Sequence, residues 1–354
     1  VRRRVLWGSA ALAVVALAAL AWFMFQRHQR LVAPRLGDPL AGVPVPPPPA
    51  PSVDARERVW IDTDAGCGLG RHVDVDDCYA LAMALTAPEL DVRGIGTVFG
   101  NVPLAAADSV TRELVALVRA RDGAAPTVHR GAAGPGTGAT AASRALQAEL
   151  ARGPLVILGF GPLTNVAAAL QGRPELARNV RRVVFVAGKR RGQWMHPGYD
   201  HFITFSDFNV AQDPRAAERV LRAPVPVALV PFEAALHTTL SPPEVDSIAR
   251  AGAVGAWLRA RSGGWMAFWR EEAGRDGFVP FDNAAVAYVL RPGLLECVRV
   301  RARLQRSPPW FGIGRPAELV VRTDGTRGTP VAYCGRVRAG FDAFLMARLT
   351  AAGR

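Results

Sequence analysis

Short apolar runs and stretches of helical spacing alternate along most of this chain. Val59-Trp60-Ile61 is an apolar, β-prone run and predicts a strand. Asp76 and Asp77 then open a segment with apolar residues at Tyr79, Leu81, Ala82 and Leu85, which is helical spacing. Asp91 to Val98 predicts a second strand, ending in Phe99-Gly100-Asn101, and a helix follows from Ala105 to Arg121. Leu155 to Leu158 predicts a short buried strand, then Gly159-Phe160-Gly161-Pro162 and a helix from Leu163 to Leu170. Arg182 to Ala187 is the next strand. Asp213 is placed to cap a helix running through Leu221, with Pro214 in its first turn. Val225 to Val230 predicts a strand, Pro242 to Glu272 a long helical stretch, and Ala284 to Leu290 a further helix. Strands at Cys297 to Leu304 and Glu318 to Arg322 and a helix around Phe341 to Leu349 complete the pattern. Strands alternating with helices imply an open α/β fold, a mostly parallel sheet with helices on both faces.

The N-terminal part reads differently. Val5 to Phe25 carries no charge and is nearly all apolar, long enough to cross a bilayer core of about 30 Å as a helix. Arg2, Arg3 and Arg4 precede it; Arg27, His28 and Arg30 follow. Ala19-Leu20-Ala21 would suit a cleaved signal peptide. The apolar run continues past it through Trp22 to Phe25, which favours an uncleaved transmembrane anchor. A membrane partner follows, with the main domain outside the cytoplasm on the periplasmic side, or secreted if the segment is cleaved. Pro44 to Pro51 (PVPPPPAP) predicts extended polyproline. The expected division is an anchor or signal segment over 1–30, a proline-rich linker over 31–56 and a catalytic domain over 57–354.

Composition adds two constraints. The formal net charge of +13 would suit nucleic acid, yet Lys189 is the only lysine and the arginines are scattered. With no dense basic run interleaved with aromatics, no nucleic-acid partner is expected. The four cysteines fit neither a CxxC zinc site nor a disulfide-dense scaffold.

The polar residues able to do chemistry fall at strand ends: Asp62, Asp64, Asp76, Asp77, Asn101, Thr164, Asn165, Asp207, Asn209 and Asp282. In an open α/β sheet that edge is where ligands bind. Singly, each has a bland explanation; Asp76, Asp213 and Asp282 could all be helix caps. Together, so many carboxylates cannot crowd ionised without a positive partner, and a hard cation with oxygen ligands, Ca²⁺ or Mg²⁺, answers that need.

These residues carry a pattern that resembles the inosine–uridine-preferring nucleoside hydrolase family. Asp62-Thr63-Asp64-Ala65-Gly66 and Asp76-Asp77, with Ala80-Leu81 behind them, match its D-x-D-x-G-x-D-D signature. Thr97 to Val102, Gly161-Pro162-Leu163-Thr164-Asn165, Phe208-Asn209 with Asp213-Pro214, and Asp282 before Ala284-Ala285 follow in the family's order. The resemblance implies one Ca²⁺, held by Asp64, Asp77, the backbone carbonyl of Thr164 and Asp282. It implies Asp64 as general base on a calcium-bound water that attacks C1′ of a ribonucleoside. It gives Asp76, Asn101 and Asn209 to the ribose hydroxyls, and Asp207 to the 5′-hydroxyl where the family usually has Glu. The implied reaction releases ribose and free base through an oxocarbenium-like transition state. The implied partner is a small-molecule nucleoside, with homo-oligomerisation left open.

The chain departs from the pattern in three places. Cys67 to Val75 stands where the family has about one residue, an inserted loop that could cover the pocket. Phe281 stands where members often carry the His that protonates the leaving base; stacking of Phe281 on the base would suit a purine. A replacement acid could come from His196, Tyr199 or His201. Gly131 to Ala151 is short and rich in Gly and Ala. Cys67 and Cys78 bracket the insertion, and a disulfide between them would pin it; Cys297 and Cys334 could form another. The competing expectations are a catalytically silent Ca²⁺-dependent ribosyl-ligand binding protein and a hydrolase of another N-ribosyl substrate.

Overall fold

The computed structural model describes residues 14–24, 40–191, 193, 207–306, 317–323 and 326–354. In chain order the first elements are α1 (residues 14–24), β1 (Val43–Pro44), β2 (Glu57–Thr63), α2 (Asp76–Leu85), β3 (Leu90–Thr97), α3 (Leu104–Asp122) and β4 (Val128–Arg130). Then come α4 (Ala141–Arg152), β5 (Leu155–Gly159), α5 (Thr164–Leu170), α6 (Pro174–Ala177), β6 (Val180–Phe185), β7 (Lys189–Arg190), α7 (Phe208–Gln212) and α8 (Pro214–Arg222). The chain ends with β8 (Val227–Leu229), α9 (Phe232–Ala235), α10 (Pro242–Ala251), α11 (Ala253–Glu272), α12 (Phe281–Leu290), β9 (Leu295–Gln305), β10 (Glu318–Arg322), β11 (Thr329–Val337) and α13 (Phe341–Gly353).

One sheet joins all the strands, in the order β4-β3-β2-β5-β6-β8-β11-β9-β10-β7, with β1 paired to β9. From β4 to β11 every neighbouring pair is parallel; β9 runs antiparallel to both β10 and β11. The sheet is mostly parallel and covered on both faces, as the alternating pattern predicts. Strand β2 shows how. Val59 and Ile61 enter the core packed by α2 and α10 to α13, while Trp60 enters the opposite core, packed by α4, α5 and α8. Successive side chains on a strand point to opposite faces, so a strand buried on both sides is apolar throughout.

Local chemistry accounts for several boundaries. Asp213 caps α8, its Oδ1 accepting Ala216 N–H at 3.0 Å, with Pro214 at the first helical position. Ser241 and Glu244 form a capping box at α10. The long helical stretch predicted over Pro242 to Glu272 is two helices, broken at Gly252. A Cβ there would overlap the Arg354 backbone carbonyl, so the break lets the C-terminal end pack close. Two disulfides are present: Cys67–Cys78 closes the inserted loop, and Cys297–Cys334 ties β9 to the adjacent β11. Within the proline-rich stretch, Val43 and Pro44 pair with Arg299 and Val298 of β9.

The N-terminal segment requires a correction. Of the run Val5 to Phe25, only α1 lies within the described residues. Among the described residues no helix is long and apolar enough to cross a membrane. The transmembrane anchor, the membrane partner and the membrane-anchored location on the periplasmic side rested on such a span, which no described helix provides.

Candidate active site

The strand order reverses between β2 and β5, with β3 and β4 on one side and β6 and β8 on the other. The carboxyl ends of parallel strands at such a point open a crevice. Asp64 follows β2, Asn101 follows β3, and Gly161 to Thr164 follow β5, so three loops meet there.

Asp64 is fully buried, and its Oδ2 accepts Asn101 N–H at 2.8 Å. A Cβ on Gly100 would overlap Asp64 Oδ2, and one on Gly161 would press on the same carboxyl group. Only glycine lets both loops close on Asp64. Asp76 and Asp77 form the first turn of α2, where free N–H groups favour negative charge. Thr63 Oγ1 donates to Asp77 Oδ1, holding that carboxylate from behind. Asp282, in the first turn of α12, donates its N–H to Asp76 Oδ2 at 3.2 Å. Asn101 Nδ2 donates to Asp74 Oδ1 at 2.8 Å and reaches Asp77 Oδ2 at 3.3 Å and Asp64 Oδ1 at 3.5 Å. One carboxylate oxygen from each of Asp74, Asp76 and Asp77 lies within 4.8 Å of the others.

Burial raises the pKa of every carboxylate in this group, and repulsion adds to it at Asp64, Asp74, Asp76 and Asp282. Asp64 stands well above the usual range, first through burial and then through the charge of Asp77. Burial and the Asp77 charge push Asp76 up to about 7. Burial lifts Asp77 to about 6, against the hydrogen bond from Thr63. Asp74 and Asp282 are also raised, by burial and then by Asp76. Asp76 Oδ1 is buried and has no hydrogen-bond partner among the described residues. Crowded carboxylates with an unpartnered oxygen are a poor arrangement by themselves and a good one around a hard divalent cation. The residues present therefore fit a metal ion.

The other predicted residues divide. Thr164 opens α5, its hydroxyl donating to Asp213 Oδ2 at 2.8 Å. Asn165 is a support residue, bonding Asp62 Oδ1 at 3.1 Å and the Thr97 carbonyl at 3.0 Å. Asp207 is the N-cap of α7; its oxygens accept Gly188 N–H at 2.6 Å and Val210 N–H at 3.3 Å, and burial lifts its pKa to about 6. Asn209 donates to the carbonyls of Phe160 at 2.5 Å and Val186 at 3.0 Å, which brings α7 to the mouth of β5 and β6. Phe281 is half-buried beside Asp282, stacked on Phe232 with ring centroids 5.0 Å apart and 6.2 Å from Trp269. His196, Tyr199 and His201 lie outside the described residues. Asp74 is part of the same acidic run in the sequence, but the sequence reading assigned it to the insertion and gave it no role in the site. Its signal was available: Asp74-Val75-Asp76 repeats the spacing of Asp62-Thr63-Asp64.

Among solved structures the chain is similar to a plant nucleoside hydrolase, with TM-score 0.68 and 21% identity over 84% of this chain and 98% of that one. It is also similar to a purine-preferring ribonucleoside hydrolase from Gardnerella vaginalis, with TM-score 0.66 and 20% identity over 84% and 99%. These likenesses define the class of fold, a nucleoside hydrolase-like α/β architecture. The profile of the inosine-uridine preferring nucleoside hydrolases matches residues 59–334. The chain belongs to that family and is a nucleoside N-ribohydrolase. It is 29% identical over 249 residues to the non-specific ribonucleoside hydrolase RihC of Salmonella agona, a match covering 62% of this chain and 76% of that relative. A similar enzyme of Salmonella paratyphi A is 27% identical over the same length.

Proposed function

We propose that this chain hydrolyses a purine ribonucleoside to ribose and free base at a Ca²⁺ site, with Asp64 as general base. The observation that carries this reading is the convergence of Asp64, Asp76, Asp77 and Asp282 at the switch point of the sheet, with Asp76 Oδ1 left unpartnered. Asp64, Asp77, Asp282 and the Thr164 carbonyl would hold the cation. When bound, the cation neutralises these carboxylates, gathers ribose hydroxyls and makes water easier to deprotonate. Asp64 takes the proton of the attacking water, whose oxygen bonds to C1′ as the C1′–N bond breaks and its electron pair leaves with the base. Asp76, Asn101 and Asn209 orient the ribose through its hydroxyls. Asp207 acts on the 5′-hydroxyl from a carboxylate already fixed by two backbone N–H groups. Phe281 cannot donate a proton. Its stacked arrangement with Phe232 offers an aromatic surface, which favours the larger face of a purine.

The test is ribose release from a panel of purine and pyrimidine nucleosides, with and without chelator, by the wild type and Asp64→Ala. Chelation should abolish turnover, and Asp64→Ala should lower it by about 10²-fold or more. Turnover indifferent to both treatments would reject the site, and equal turnover of pyrimidines would reject the purine preference.

A further inference from the structure

We propose that Asp74, delivered by the disulfide-closed inserted loop, is a direct ligand of the cation, a fourth carboxylate beside Asp64, Asp77 and Asp282. The proposal rests on the metal-dependent reading above and adds to it a residue outside the family pattern.

The inserted loop leaves the sheet after Asp64 and returns at α2. Cys67 and Cys78 close it, and Val73 comes back against Gly66 so closely that a Cβ on Gly66 would overlap it. On its outer side the loop is latched to α11. Arg71 pairs with Glu271, and His72 Nε2 contacts Glu272 Oε1 at 2.8 Å and sets its ring edge on Phe268. Asp74 as a residue is partly exposed although its carboxyl group is buried, so rotation towards solvent would relieve its repulsion from neighbouring carboxylates. It points inward instead. Its Oδ1 shares the Asn101 Nδ2 donor with Asp64 and Asp77, so a single amide group serves three carboxylates. Asp74, Asp76 and Asp77 each bring an oxygen within 4.8 Å of the others, and the neighbouring Asp76 Oδ1 is buried and unpartnered among the described residues. The Asn101 amide, one neutral donor, cannot offset the charge gathered there, and a cation held by Asp74 and Asp77 would. Calcium accepts six to eight oxygen ligands, and its affinity rises with the charge of the ligand set.

Isothermal calorimetry of Ca²⁺ binding to chelator-stripped wild type, Asp74→Asn and Asp74→Ala tests this. Removing a ligand oxygen should weaken Kd by about tenfold or more in Asp74→Ala. Asp74→Asn, which keeps a carbonyl oxygen, should fall between that variant and the wild type. Without metal, both variants should melt at or above the wild-type temperature, because a repelling charge is gone; this also shows that they fold. Their calcium-induced rise in melting temperature should be smaller. Kd values within twofold of wild type would overturn the proposal, as would an increase in nucleoside KM at saturating calcium with Kd unchanged, which would make Asp74 a sugar contact. A wild type that binds no divalent cation would overturn the metal reading itself, a result distinct from either.

Discussion

At the scale of single residues, the site depends as much on what is absent as on what is present. Gly100 and Gly161 have no side chain, and the space this leaves is filled by the carboxyl group of Asp64. Gly100→Ala should displace Asp64, destabilise the fold by about 1–3 kcal/mol and depress ribose release far more than that loss of stability explains. Denaturant melts paired with kinetics on the same preparation would show it; unchanged activity would mean that Asp64 is not positioned by this contact. Asp207 permits a pH prediction. Its pKa rises from 3.8 to about 6 on folding, so the folded state holds a proton that the unfolded state has released between those values. Stability from this group is full below about pH 4 and is lost as pH rises through about 6, a difference of about 3 kcal/mol at ~1.4 kcal/mol per unit. Asp207→Asn should remove that slope. Unfolding free energies measured from pH 4 to 7 in chelator would check it, and parallel profiles for the two proteins would refute it. Asp64, Asp76, Asp77, Asn101 and Asp282 were legible in the sequence because each ends a strand or starts a helix. Asp74 was legible only as part of the acidic run, because nothing local says whether a loop residue turns inward.

At the scale of elements, the two disulfides have different consequences. Cys67–Cys78 spans a sequence separation of 11 and Cys297–Cys334 one of 37. On chain entropy alone, their contributions are about 3 and about 4 kcal/mol. Cys297→Ala/Cys334→Ala should therefore cost more stability yet leave calcium affinity alone, since β9 and β11 lie away from the switch point. Cys67→Ala/Cys78→Ala should weaken calcium binding, because it frees the loop that carries Asp74. Equal calcium affinity in both double variants would contradict this. Strong periodicity made β2, β3, α3, β5 and β10 readable to within a few residues. β4 and α4 escaped, since their stretch is rich in Gly and Ala and carries little apolar contrast; α4 is held by its Thr140–Ser143 capping box and by Leu146 and Leu150 in the core. The break between α10 and α11 was equally silent, because it answers to the approach of the distant chain end.

For the whole molecule, the proposed metal site would couple stability to calcium. Buried acids with raised pKa values make the metal-free protein lose stability as pH rises from about 4 through about 7, the value to which Asp76 is lifted. A bound cation reverses this, because it requires the ionised forms. At calcium concentrations near 100 times Kd the gain should be about 2.7 kcal/mol, and at a fixed calcium concentration it should be larger at pH 8 than at pH 5. Thermal melts across calcium and pH would test both statements; a calcium shift independent of pH would argue that these carboxylates are not the ligands.

The sequence by itself determined the α/β class, the family and most of the acidic residues, because hydrophobic period and ordered motifs are local properties that survive without coordinates. It also suggested a membrane span that the described helix does not provide. Only the tertiary structure decided which strands are neighbours, where the order reverses and which carboxylates share one oxygen-lined spot. Those outcomes depend on contacts between residues far apart in the chain, such as Asp76 with Asp282 and Asn101 with Asp74. No local pattern encodes such contacts, and packing settles them only when the whole sheet has formed.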